Sequence, residues 1–278
     1  MSCFLCNSSL GKKLVMSVTG CCLVLFLLFH MAMNLVALVS PEAYNMVCAF
    51  LGANWYAVVA TVGLAALVVL HFVYAFILTI NNYKARGTQR YAVTVNEPGV
   101  EWASKNMLVL GVIVILGLGL HLVHFWSKMM LVELMGQHQN VLGFEPTNGA
   151  ILIAFTFSKW WNVVLYLVWL AALWFHLTHG VWSMFQTVGW ANDTWYPRLK
   201  CASKVVSTLV ILGFAAVIVG GTAMSGGRGS LIGAFVGMLI MGVMNNILNS
   251  VGVPTFLCDA IKGAIIIFAV MLQKKDNN

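Results

Sequence analysis

The sequence predicts an all-α fold: a polytopic bundle of five transmembrane helices, followed by one or two further apolar segments. Of the 278 residues, 61% are hydrophobic and only 8% are charged, whereas a soluble domain carries about 25% charged residues. The apolar residues are grouped in runs of about 20, the length at which a helix crosses a bilayer core of about 30 Å. These observations indicate a membrane protein without a separate soluble domain.

Five apolar runs are the predicted membrane spans: residues 16–39, 55–80, 107–126, 160–186 and a fifth run that starts near residue 205. The basic residues concentrate in the N-terminus and in the second and fourth connections: Lys12, Lys13, Lys84, Arg86, Arg90, Lys105, Arg198, Lys200 and Lys204. The positive-inside rule therefore predicts a cytoplasmic N-terminus and a multi-pass protein of the cytoplasmic membrane. The formal net charge of +7 follows from this topology and does not indicate a nucleic-acid partner.

The seven cysteines do not form a recognisable disulfide framework. Cys21, Cys22 and Cys48 are expected to be small apolar packing residues. Cys3 and Cys6 form a single CxxC pair that no second pair or following histidine accompanies. The cysteines therefore predict neither a disulfide scaffold nor a metal site.

Four of the predicted spans carry a histidine in their interior: His30, His71, His121 and His176. On the two outward-running spans the histidine lies 14 residues after the first residue of the span, about 21 Å from the inner boundary. On the two inward-running spans it lies 16 residues after the first residue, about 24 Å from the outer boundary. The depths predict two pairs, His30 with His121 in the outer half and His71 with His176 in the inner half.

Two pairs of imidazoles at two depths favour a cofactor over isolated core histidines, although a single histidine in a span is more often a hydrogen-bonded core residue. Two imidazoles on facing helices suit the axial positions of a haem iron. Zinc or copper usually needs three or four ligands at one level. The first four predicted spans contain no Asp or Glu, which argues against a carboxylate proton relay. The pattern predicts two haems that carry electrons across the bilayer.

Several stretches resemble the five-helix, di-haem cytochrome b subunits that anchor succinate dehydrogenases and quinol:fumarate reductases. These stretches are KKLVMSVTG before FHMAMN, LHFVYAF, LGVIVILGLGLHLVHFW and FHLTHGVWSMFQTVGW. The resemblance implies a bacterial inner-membrane subunit with two b haems, ligated by the pairs His30/His121 and His71/His176, and menaquinone as the expected quinone. It also implies flavoprotein and iron–sulfur subunits on the cytoplasmic face, so the chain would not be an enzyme on its own.

Two of these assignments have close alternatives. His121 and His124 lie three residues apart on one face of the third span, and the distance of His121 from Gly111 matches the glycine-to-ligand spacing of the family. In the fourth span the family pattern places the ligand at His176. His179 is then expected to be a hydrogen-bonding or propionate-side residue.

The C-terminal part departs from that family. We divide the chain into residues 1–222, the cytochrome-like bundle, and residues 223–278, an apolar tail that resembles the C-terminal region of ribose-type ABC sugar permeases. Asp259 and Lys262 lie within or beside an apolar run of the tail without an obvious compensating partner. We interpret the tail as a fused or misassembled reading frame rather than as half of a bifunctional protein.

Two other functions compete with the succinate dehydrogenase assignment. One is a b-type haem subunit of another quinol-linked oxidoreductase, such as a nitrate reductase. The other, which the tail alone supports, is a membrane component of an ABC sugar transporter.

Overall fold

The computed structural model describes residues 8–87, 101–224, 231–250 and 252–272. In these ranges the chain consists of helices and their connections, with no β-strand. The helices of the first half are α1 (Ser9–Val39), α2 (Pro41–Phe50), α3 (Trp55–Arg86), α4 (Trp102–Lys105) and α5 (Met107–His124). A short 3-10 turn (Trp126–Lys128) leads to α6 (Met130–Leu134), α7 (Gly149–Phe157), α8 (Trp160–Thr187), α9 (Trp195–Met224), α10 (Leu231–Ser250) and α11 (Thr255–Leu272).

Five helices are long and apolar enough to cross a membrane, and they correspond to the five predicted spans. The ranges that meet these criteria of length and composition are Ser9–Val39, Trp55–Arg86, Met107–Lys128, Trp160–Thr187 and Trp195–Gly220. The prediction of a polytopic helical membrane protein is confirmed. The predicted CxxC pair (Cys3 and Cys6), Arg90 and the C-terminal Lys274 and Lys275 lie outside the described residues.

Two of the membrane-spanning helices begin earlier than hydropathy predicts. α1 begins at Ser9 rather than at residue 16, and the hydroxyl of Ser8 accepts the Gly11 N–H at 2.8 Å as its N-cap. α9 begins at Trp195, ten residues before the predicted start near residue 205. Hydropathy detects only the part of a helix that lies in the hydrocarbon core, whereas backbone hydrogen bonds continue the helix through the polar residues of the boundary.

Helix α8 lies at the centre of the bundle, since it packs against α1, α5 and α9. Its buried side chains recur every three or four residues on one side: Asn162, Val163, Tyr166, Leu170, Ala172, Leu173, Leu177, Val181 and Trp182. By contrast, Ala57 is the one buried residue of α3, which packs against α1. Many apolar side chains of α3 between Trp55 and Ile80 are exposed, as expected of a helix that faces lipid.

Polar side chains join α8 to α9, the most extensively packed pair of helices. The fully buried Ser203 donates to the backbone oxygens of Leu177 at 3.2 Å and Thr178 at 2.7 Å. The indole N–H of Trp174 donates to the Thr208 hydroxyl at 3.0 Å. Hydrogen bonds of this kind, together with close packing, hold transmembrane helices together where no hydrophobic driving force acts between them.

A cap formed by α2 and α7 closes one end of the bundle. The Ser40 hydroxyl accepts the Ala43 N–H at 3.1 Å, so it N-caps α2 directly after α1 ends. The two helices pack on each other, and at Gly149 the first turn of α7 approaches Cys48 and Tyr44 of α2 so closely that a Cβ atom would overlap both side chains. The glycine is therefore required by the packing of the cap.

The thiol of Cys48 lies in this cap and gives a prediction about its reactivity. Burial raises its pKa to about 11, partly opposed by hydrogen bonds with Tyr44 and the Gly149 backbone. Because only the thiolate reacts with maleimides, a shift from about 9 to about 11 lowers the reactive fraction near neutral pH about 100-fold. We expect single-cysteine protein carrying only Cys48 to label slowly at pH 7.5 and faster as the pH approaches 10.

The control is protein whose single cysteine is Cys201, which is exposed. Both variants are treated with a small maleimide in detergent, and the labelled fraction is followed by mass spectrometry. Rapid labelling of Cys48 at pH 7.5 would show that the cap is open in solution.

The two C-terminal helices continue from the end of α9, since α10 packs on α9 and α11 packs on α10. Lys262 and Asp259 form an ion pair at 2.9 Å across one turn of α11. The expectation that these charges lack a compensating partner is therefore wrong. Residues three apart share a helix face, so the pairing is local and requires no other helix.

Candidate functional site: two histidine pairs inside the bundle

The first pair joins α1 to α5. The rings of His30 and His121 lie edge to face, with their centroids 5.8 Å apart and their planes at 86°. On the α1 side, His30 stacks on Phe26 at 5.3 Å and contacts Phe214 of α9 at 5.6 Å. Three helices therefore meet at His30.

Side chains of α8 complete the surroundings of His121. The ring centroids of Trp169 and Tyr166 lie 5.8 and 6.4 Å from that of His121. The Trp169 indole N–H donates to the backbone oxygen of Val114 in α5 at 3.0 Å. These contacts fix the position of α5 against α8 at the depth of the first pair.

A hydrogen-bonded side chain connects His30 to the cap. The Asn34 amide nitrogen donates to the His30 backbone oxygen at 2.7 Å and lies 3.4 Å from the Nε2 atom of the ring. The Tyr44 hydroxyl of α2 donates to the Asn34 Oδ1 atom at 3.1 Å. The cap and the first pair are thus coupled through one amide.

The second pair joins α3 to α8. The ring centroids of His71 and His176 are 6.4 Å apart, and their planes are inclined at 64°. The Thr19 hydroxyl of α1 lies 3.0 Å from the Nδ1 atom of His71. The Nδ1 atom of His176 is buried and has no hydrogen-bond partner among the described residues. A glycine lies beside each ring: Gly20 beside His71, and Gly111 beside His176.

The structure brings together the rings that the depth calculation paired, and it places the two other span histidines elsewhere. His124 stacks on Tyr166, with the planes inclined at 12°, and its Nδ1 atom lies 3.2 Å from the tyrosine hydroxyl. It is His121, rather than His124, whose ring lies against His30.

His179 belongs to a charged cluster near the start of α5, which sequence reasoning missed. Glu101 forms an ion pair with Lys200 of α9 at 3.1 Å and accepts the Trp182 indole N–H at 3.3 Å. The His179 ring lies 3.9 Å from the same carboxylate, and the Lys200 ammonium lies over the Tyr196 ring at 4.6 Å. The sequence showed Glu101 only as one charge in a charged connection, since its partners come from distant helices.

The chemistry available at the two pairs is that of neutral or protonated imidazoles enclosed by aromatic rings. Within the described ranges there is no group of three or more His, Cys, Asp or Glu residues arranged to hold a metal ion. Ring contacts surround all four imidazoles, and side-chain hydrogen-bond partners lie next to the rings of His30 and His71. Such contacts are typical of histidines that face a partner inside a helix bundle.

Comparison with known proteins shows similarity to sugar permeases over part of the chain. The chain is 49% identical over 61 residues to a ribose import permease protein of Bacillus subtilis, a match that covers 22% of this chain and 19% of the relative. It is 41% identical over 79 residues to a ribose import permease protein of Escherichia coli, covering 28% and 25%. It is 43% identical over 77 residues to a xylose transport system permease protein of Escherichia coli, covering 27% and 20%.

The chain therefore spans about a quarter or less of the length of these curated relatives. No family model matches the sequence, and no solved structure matches it. The predicted resemblance to ribose-type permeases is confirmed. The relatives are transport proteins rather than enzymes, which agrees with the prediction that the chain is not an enzyme on its own.

The comparisons contradict the predicted haem function. They point to sugar import permeases and give no support to a succinate dehydrogenase or fumarate reductase cytochrome b. Three predictions are therefore wrong: two b haems as cofactors, quinone as a substrate, and flavoprotein and iron–sulfur subunits as partners. The physical reason is that matched depth does not specify a ligand: paired imidazoles that pack edge to face and bond to Thr19 or Asn34 produce the same pattern.

Proposed function

We propose that this chain is a membrane component of an ATP-binding-cassette importer for sugars. The observation that carries the proposal is the similarity to the ribose and xylose permeases, at 41% to 49% identity over 61 to 79 residues. The five apolar helices agree with a role inside the membrane. Ribose and xylose are both pentoses, so a pentose is the proposed substrate class.

The proposed division of labour follows the two parts of the chain. Residues 223–278 contain α10 and α11, and two helices cannot enclose a route for a polar sugar. The route therefore needs further helices, from the bundle of residues 1–222 or from a second chain. The packing of α10 on the end of α9 supports a connection between the two parts.

Partners of this proposal follow from the energetics of import. Accumulation of a sugar against its gradient requires an energy source, which in an ATP-binding-cassette importer is ATP hydrolysis. We assign that hydrolysis to a separate ATPase subunit, and a separate sugar-binding protein would deliver the substrate. The ATPase would bind on the side to which the positive-inside rule assigns the N-terminus and the basic loops. Lys84, Arg86 and Lys204 are exposed at that end of the bundle.

The four interior histidines have a positioning role in this proposal. His30 and His121 connect α1 with α5 and α9, and His71 and His176 connect α3 with α8. Hydrogen bonds between transmembrane helices, such as the one between His71 of α3 and Thr19 of α1, are worth about 0.6 kcal/mol each, up to about 1.7 kcal/mol. We propose that the two pairs hold the helices in register at two depths.

The test is uptake of radiolabelled ribose by cells that lack their own pentose importers. The cells express the full chain together with the ATPase and sugar-binding protein of a ribose importer. We expect accumulation to depend on the full chain, and we expect protein ending at Met224, which lacks α10 and α11, to lose it. Radiolabelled xylose, measured in parallel, tests the substrate class.

Membrane levels of both proteins are measured by immunoblotting, so that absence of uptake is read only where the protein is present. Full chain in the membrane without uptake above the empty vector would refute the importer proposal. Equal uptake by the protein ending at Met224 would show that the permease-like tail is not required for sugar uptake.

A further inference from the structure

An apolar notch lies at the connection between α8 and α9. Its walls are Trp190, Trp195 and Leu199, and it has a volume of about 230 Å³. Both tryptophans are exposed, Trp190 by 61% and Trp195 by 50% of their surface. The notch therefore presents apolar surface that the protein itself does not cover.

Local hydrogen bonds hold both walls of the notch in place. After α8, Gly189 adopts φ of +83°, a conformation that favours glycine. The Trp190 N–H then donates to the Phe185 backbone oxygen at 3.0 Å, and the two rings stack at 5.6 Å with their planes at 9°. On the other side, the Asn192 side chain accepts the Trp195 N–H at 2.9 Å at the first turn of α9. These contacts fix the backbone at both walls of the notch and the position of the Trp190 ring.

A guanidinium group borders the notch. Trp195, Arg198 and Leu199 share one face of α9, because they are spaced three and four residues apart. The Arg198 guanidinium carbon lies 5.5 Å from the centre of the Trp195 ring. No carboxylate of the described residues forms an ion pair with Arg198. The nearest acid in sequence, Asp193, is exposed in the preceding turn.

The position of the notch determines what can reach it. It lies at the end of two membrane-spanning helices, at the level where exposed tryptophans are enriched in membrane proteins because their rings suit the headgroup region. Lipids therefore surround this surface in the membrane. Their acyl chains meet the apolar walls, and their phosphate groups lie at the height of the polar boundary.

We propose that the notch and Arg198 form a binding site for one anionic phospholipid. The start of an acyl chain packs against Trp190, Trp195 and Leu199, and the planar guanidinium pairs with the phosphate through two parallel hydrogen bonds. A zwitterionic lipid carries a choline cation next to its phosphate, and Arg198 repels that cation. The site therefore prefers phosphatidylglycerol to phosphatidylcholine, and this preference does not depend on sugar transport.

Arg86 provides a matched control for the charge. It lies at the same end of the bundle, is exposed, and holds its guanidinium carbon 5.8 Å from the centre of the Tyr83 ring. It has the same cation–aromatic arrangement as Arg198 but does not border the notch. A general attraction between basic residues and anionic lipid predicts equal effects of Arg86 and Arg198, whereas a specific site predicts an effect of Arg198 alone.

The experiment is native mass spectrometry of the full chain in detergent with phosphatidylglycerol, phosphatidylcholine or inorganic phosphate added at equal concentrations. We expect one retained phosphatidylglycerol, bound roughly 10-fold more tightly than phosphatidylcholine. Arg198→Gln should remove most of this preference, and Arg86→Gln should leave it unchanged. Trp190→Ala should weaken retention of both lipids, because it removes one apolar wall. Thermal melting of each variant checks that the fold is retained.

Three outcomes would overturn the proposal. Equal losses in Arg198→Gln and Arg86→Gln would show only diffuse electrostatic attraction. Equal retention of the two lipids would show an apolar notch without headgroup recognition. Retention of inorganic phosphate without lipid, lost in Arg198→Gln, would show an anion site to which the notch contributes nothing.

Discussion

Replacing Gly117 by Ala lowers the free energy of unfolding by about 3 kcal/mol, because the new methyl group has no room. In α5 a Cβ atom at this position would overlap the indole ring of Trp169 from α8. The indole cannot retreat freely, since its N–H donates to the Val114 backbone oxygen at 3.0 Å and its ring contacts His121. Forcing a methyl group into packed surroundings costs about 1–3 kcal/mol, and a rigid indole places this site at the upper end.

The control is Gly119→Ala, two residues further along the same helix, where a Cβ atom would meet nothing within 4 Å. Alanine is the better helix former, so this variant should be as stable as the unchanged protein or slightly more stable. Both are measured by unfolding in mixed micelles with rising SDS content, followed by circular dichroism. Equal stability of the two variants would contradict the packing of α5 against α8.

Replacing Asn45 by Ala should destabilise the cap by about 2 kcal/mol. The Asn45 amide donates to the Asn148 side chain at 3.0 Å, and its Oδ1 atom accepts the Ala150 N–H, also at 3.0 Å. The same Asn148 side chain N-caps α7 by accepting the Ile151 N–H at 3.2 Å. Alanine would leave a partly buried N–H and a capping residue without their partner, which costs about 1–3 kcal/mol.

Asn45→Asp tests the two hydrogen bonds separately, because a carboxylate still accepts the Ala150 N–H but cannot donate to Asn148. Its stability should fall between those of the alanine variant and the unchanged protein. Asn81→Ala, at an exposed position of α3, is the control and should change stability by less than about 0.5 kcal/mol. Limited proteolysis of the cap formed by α2 and α7 provides a second measurement. A loss in Asn81→Ala as large as in Asn45→Ala would contradict the role of the cap.

Connections between the predicted spans contain more structure than hydropathy shows. The segment after α1 lies between two predicted spans, and it forms α2, with Ser40 as N-cap and Pro41 at the first helical position. These are the residues that start helices in soluble proteins, so the signal was present in the sequence. What the sequence did not show is that α2 packs on α7, more than 100 residues later.

The four interior histidines show what can and cannot be predicted from the depth of a residue in the membrane. Counting residues along each span placed His30 level with His121 and His71 level with His176, and the rings of each pair lie side by side. The depth of a residue in the membrane depends only on its own helix, so it can be obtained by counting residues along that helix. The occupant of such a site depends on contacts with other helices, and the similarity to sugar permeases contradicts the haem that depth alone suggested.

The sequence by itself determined the membrane class and the five spans, because lipid as a solvent selects apolar residues at each position whatever the neighbouring helices are. The ion pair of Asp259 and Lys262 was within reach of the same kind of reasoning, since the two residues lie three apart on one helix, but it was recognised only in the structure. Only the tertiary structure decided that His121 rather than His124 lies against His30, and that Glu101 meets Lys200 and Trp182. These contacts depend on the rotation and crossing of helices, which are set by side-chain packing and hydrogen bonds between segments distant in the chain.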